Sequence, residues 1–133
     1  MKALLADAIL VLHFGVVVFI VGGLIAIWIG AARNWAWVRN FWFRIAHLGA
    51  ILFVAAEALA GVMCPLTVWE DALRGRFSDA GFIERVFHAL LFYDLPPWVF
   101  TVAYVVFALV VLATFVAVPP RSRTTFSRGP RTK

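Results

Sequence analysis

The stretch IAHLGAILFVAAEALAGVMCPLT, residues 45–67, decides the fold. Its first part, residues 45–63, is an apolar run carrying only two ionisable side chains, His47 and Glu57. That length approaches the about 20 residues with which a helix crosses a hydrocarbon core about 30 Å thick. A carboxylate at the centre of such a helix costs roughly 2.5–3.5 kcal/mol, which makes Glu57 a functional-site candidate by default.

Composition supports a span. The chain is 64% hydrophobic and 14% charged, with a mean hydropathy of +0.94, outside the usual make-up of a soluble domain. It reads as an integral membrane protein. At 133 residues it has room for three or four helices in one domain, and it shows no internal repeat of the kind transporters use.

Working outward, residues 8–32 and 97–118 are also long and apolar enough to span, with His13 the one polar side chain of the first. Pro96-Pro97 fixes the start of the last, because proline opens a helix but cannot continue one backwards. Lys2 precedes the first apolar stretch as in a signal peptide, but 25 residues exceed a signal core of 7–15, so a retained helix is expected. Cys64 is the single cysteine, which excludes an intrachain disulfide and a two-cysteine redox relay within one chain.

The net charge of +5 does not point to nucleic acid, because the cations fall in blocks that flank the spans. Arg33, Arg39 and Arg44 carry no acidic neighbour, nor do Arg121, Arg123, Arg128, Arg131 and Lys133. Both blocks are expected to be cytoplasmic. Segment 64–95 mixes Arg74, Arg76 and Arg85 with Glu70, Asp71, Asp79, Glu84 and Asp94 and suits the outer side, which places the N-terminus outside and the C-terminus inside. Trp35, Trp37, Trp42, Trp69 and Trp98 fit interfacial aromatic belts.

Thr67-Val68-Trp69-Glu70 matches a capping box, so a short helix is expected after Pro65, capped by Thr67 and Glu70 and stopped at Gly75. Phe82, Ile83, Val86, Phe87, Leu90 and Leu91 recur at helical spacing opposite Glu84, Arg85 and His88, an amphipathic helix suited to the interface or to a lid. The predicted fold class is all-α: a polytopic membrane helical bundle of three spanning helices, the short capped helix and the interfacial helix, with four spans as the alternative. Residues 1–119 form the single transmembrane domain. Residues 120–133 form a basic, disordered cytoplasmic tail, attracted at most to anionic lipid headgroups.

Depth decides which polar residues meet. On this topology His13 lies ~8 Å and Glu57 ~9 Å from the outer helix ends, so they share a level. His47 lies about 15 Å deeper, too far to clasp one haem iron with His13. It reads instead as a snorkelling or backbone-bonded interfacial residue. With Glu57, Gly61 and Cys64 spaced i, i+4 and i+7 on one helical face, an outward-facing polar site of His13, Glu57 and Cys64 is expected, with His88 as a fourth candidate. A cofactor, a metal bound through histidine, carboxylate and thiolate, or a quinone are its possible occupants; pairing of His13 with Glu57 merely to fix helix register is the structural reading. The alternative function is a non-catalytic accessory or assembly subunit, since Gly22, Ala26 and Gly30 form a small-residue stripe suited to helix packing with a membrane-complex partner or a second copy.

Leu12-His13-Phe14, Arg44-Ile45-Ala46-His47, Glu57, and Cys64-Pro65-Leu66-Thr67 followed by Trp69-Glu70 and Leu73-Arg74 resemble the small membrane proteins grouped as domain of unknown function 2784. The resemblance covers about residues 5–115, and the Cys-Pro-Leu-Thr segment is its most specific part. It implies a multi-pass protein of the bacterial plasma (inner) membrane with no assigned activity, and it makes His13, Glu57 and Cys64 the positions to test.

Overall fold

The computed structural model describes residues 1–76, 80–91 and 95–121. Five α-helices follow one another: α1 (Lys2–Ala32), α2 (Phe41–Ala60), α3 (Pro65–Arg74), α4 (Phe82–Leu91) and α5 (Pro97–Ala117), with a 3₁₀ turn at Trp37–Arg39 between the first two. No strand occurs among the described residues. Helices α1, α2 and α5 are long and apolar enough to cross a membrane, as the hydropathy of the sequence predicts. The basic tail 122–133 lies outside the described residues.

At 31 residues, α1 is about 46 Å long, more than a bilayer core requires. It begins six residues before the predicted span, and that excess serves as the packing surface for α3. Along α1 the buried residues Ala6, His13, Ile20 and Ile27 recur every seventh position, the seam of a left-handed helix pair. Helix α2 packs chiefly on α5, while α1 and α2 touch over a much shorter stretch. Ile20, Leu24, Ile51, Ala55, Ala108 and Val111 form the central core. Most other large apolar side chains on the spanning helices, such as Val11, Phe14, Leu52, Phe53, Val106 and Leu109, face outward, as expected of surfaces meeting lipid tails.

Three helices end in the same way. Gly61 at φ 66° stops α2, with the Val62 amide bonded to the Glu57 carbonyl and the Gly61 amide to that of Ala58, a Schellman motif. Gly75 at φ 67° ends α3 alike, as predicted, and Asn34 at φ 58° ends α1. The Gly61 stop corrects one expectation: Cys64 lies beyond the helix, so Glu57, Gly61 and Cys64 do not share a helical face.

The capping box is also corrected. Proline at the first helical position starts α3 at Pro65, which puts Cys64 at the N-cap and leaves Thr67 inside the first turn. Thr67 is wholly buried with its hydroxyl unpartnered among the described residues, and Glu70 bonds Arg74 at 3.0 Å and Arg85 at 3.4 Å instead of capping. The side-chain cap that does form is on α2, where Asn40 Oδ1 accepts from the amides of Trp42 and Phe43 at 2.9 and 3.3 Å.

The small-residue stripe is only partly occupied within the chain. Gly22 faces open space and Ala26 is half-buried, whereas Gly30 packs against Val38 of the same chain, so close that a Cβ would meet its methyl at 2.5 Å. Gly23, outside the stripe, carries a similar requirement: a Cβ there would stand 2.6 Å from the His47 ring.

Candidate functional site

Beyond the central core, α1, α2 and α5 leave a gap that α4 and the 61–67 turn cover. The result is a cavity of about 1120 Å³. Its length is lined by apolar side chains, among them Val16 and Ile20 of α1, Val54 of α2 and Phe107 of α5. The polar side chains in its lining are His13, Glu57, Cys64, Thr67, Glu84, Thr101 and Tyr104. Large apolar walls with a few convergent polar groups are the usual form of a small-molecule site.

The Schellman turn at Gly61 folds the chain back over the end of α2 and so brings the Cys64 thiol within electrostatic range of the Glu57 carboxyl. The Cys64 sulfur also faces the amides of Leu66 and Thr67 at the start of α3, without closing a well-formed cap. Burial is the largest influence on this thiol and pushes its pKa up; the two amides oppose that shift and the Glu57 charge adds to it. A thiol raised above its ordinary value stays protonated near neutral pH and is a poor nucleophile. Tyr104 of α5 lies within electrostatic range of both Glu84 and Cys64.

His13 stacks on Phe82 of α4, ring centroids 4.5 Å apart and planes at 30°. It is buried, and its Nδ1 has no hydrogen-bond partner among the described residues. His13 and Glu57 thus line one cavity, and the group within electrostatic range of the carboxyl is the Cys64 thiol.

A charged lattice closes this region. Arg74 of α3 bonds Asp7 of α1 at 2.6 Å and Glu70 at 3.0 Å, and Arg85 of α4 bonds Asp71 at 2.7 Å and Glu70 at 3.4 Å. Glu70 and Asp71 are almost fully buried, so these pairs matter more than surface ones. Through them α4 is fastened to α3 and α3 to α1.

His88 is exposed on α4 and does not line the cavity. Its expected place is taken by Glu84, one helical turn away and on the inner face. His47 is backbone-bonded: Nε2 lies 2.7 Å from the Ile20 carbonyl, with Phe19 and Phe43 around the ring. It packs on Gly23, ten residues from His13 along α1, about 15 Å away. Among the described residues no three His, Cys, Asp or Glu side chains are arranged to hold a metal ion.

At the opposite end lies a cluster that motif reading passes over. Arg44 is 2% exposed, with Nη2 donating to the Thr114 carbonyl at 3.1 Å and its guanidinium 5.4 Å from the Phe115 ring centre. Thr114 Oγ1 accepts from Trp28 Nε1 at 3.1 Å. The signal was Thr114, one of two threonines in the third apolar run; its side-chain partner Trp28 sits far off in sequence.

Residues 3–120 match the family described as "Protein of Unknown function (DUF2784)". No curated protein and no solved structure matches the chain.

Proposed function

The chain belongs to the DUF2784 family, and from that premise we propose that its helical bundle binds an apolar molecule with a polar head in the cavity beneath α4. The observation that carries this reading is one large cavity with mainly apolar walls and a few polar side chains in its lining. A tail of lipid or isoprenoid character lies along Val16, Val54 and Phe107, and the head meets His13, Glu57, Cys64 and Tyr104. A quinone-type head suits these groups, since a thiol, a phenol and an imidazole donate to carbonyl oxygens while the carboxyl exchanges a proton. A metal occupant is less well supported, given the lack of a ligand cluster among the described residues. With the arginine-rich loop on the cytoplasmic side, these polar groups face the outer leaflet of the plasma membrane.

The test is extraction of the purified full chain with organic solvent and mass spectrometry of what is released. The wild type should release a stoichiometric apolar molecule. Ala58→Trp, which fills the cavity, should release none, and Glu57→Gln should retain less while keeping the wild-type melting temperature. An identical extract from wild type and Ala58→Trp would overturn the reading.

A further inference from the structure

Among the described residues, no acidic side chain pairs with the arginines at the Arg44 end of the bundle. The seven acidic side chains are Asp7, Glu57, Glu70, Asp71, Asp79, Glu84 and Asp94, so no Asp or Glu occurs in residues 8–56 or after 94. Arg44 is buried there, its described contacts are a carbonyl and a phenyl ring, and its Nη1 is buried without a partner among the described residues. Arg39 lies within electrostatic range of it. Arg121 is held at the same place, its amide bonded to the Arg39 carbonyl at 2.9 Å. Arg39 and Arg44 bring two like charges together, one of them desolvated, with the backbone of Arg121 beside them, and a buried cation without an anion is costly.

We propose that this end binds a phosphate group, that of an anionic phospholipid headgroup. Arg39, half-buried, and exposed Arg121 supply accessible donors, and Arg44 supplies the buried charge that the phosphate neutralises across a low-dielectric gap. Trp35 and Trp37, both exposed and stacked with centroids 6.1 Å apart beside the same turn, set this end at headgroup level. A lipid phosphate is the anion available at that depth, and free phosphate shares the chemistry. The site is separate from the cavity, so either proposal stands if the other fails.

The experiment uses the full chain in nanodiscs of mixed phosphatidylcholine and phosphatidylglycerol, transferred to mild detergent for native mass spectrometry of retained lipid. Phosphatidylglycerol should be retained about tenfold over phosphatidylcholine, the ratio equivalent to one charge-assisted hydrogen bond. Arg39→Gln/Arg121→Gln, whose changes lie outside the spanning helices, should lose that preference with the fold intact by circular dichroism. Release of phosphatidylglycerol by inorganic phosphate identifies the phosphate itself as the recognised group; resistance to it identifies the intact lipid. Equal retention of the two lipids, or an unchanged preference in the double variant, overturns the site.

Discussion

Arg85 on α4 stands 2.7 Å from Asp71 on α3, and that contact, with its neighbour to Glu70, joins the cavity's cover to the rest of the bundle. Losing one partner from a buried pair costs about 3 kcal/mol at the lower end of the usual range. Arg85→Met should therefore raise amide hydrogen exchange across 82–91 while leaving 97–117 unchanged. Equal exchange in the variant and wild type would show that Phe82 and its apolar neighbours hold α4 unaided.

Gly23→Ala should destabilise the bundle by about 1–3 kcal/mol, the cost of overpacking a fitted contact. The new methyl displaces the His47 ring and breaks its bond to the Ile20 carbonyl. Gly22→Ala, where a Cβ meets nothing within 4 Å, is the control. Thermal melting in detergent separates the two.

Cys64 should resist alkylation. Because its folded pKa lies above the ordinary thiol value of 9.0, the protein binds that proton more tightly than the unfolded chain does. Stability from this group is then complete below about pH 9 and declines as pH rises through the higher folded value. Maleimide labelling at pH 8 should be slow in the folded protein and rise sharply on denaturation; equal rates would contradict the burial of the thiol.

Asn40→Ala removes the acceptor for two α2 amides and should cost about 1 kcal/mol. Asn40→Asp should restore most of it. A melting curve for each variant decides the point.

The spans were legible because bilayer thickness converts directly into apolar run length, and Gly75 and the proline start of α5 because backbone chemistry leaves few alternatives. Thr67 and Glu70 misled because the threonine-x-x-glutamate pattern is local, whereas Pro65 starts the helix earlier and the arginines that engage Glu70 lie on its own next turn and on α4. Cys64 met Glu57 for a reason the spacing did not contain, since a turn at Gly61 rather than a continuing helix joins them. The importance of Gly23 was invisible because its constraint is a ring supplied by another helix. Glu84 and Tyr104 were missed as site residues for the same reason: which face of α4 and α5 turns inward depends on packing that neither helix encodes alone.

The packing of α1 on α3 and of α2 on α5, with close contact between the two pairs at Gly23 and His47, gives the molecule the mechanics of tongs. The imidazole is the fulcrum, and the cavity is the space between the jaws. With His13 about 15 Å along the arm, a tilt of about 5° there would move it by about 1.3 Å. A change at this one glycine and one ring would thus be felt by a ligand through the cavity wall itself, since the carbonyl that His47 meets belongs to Ile20.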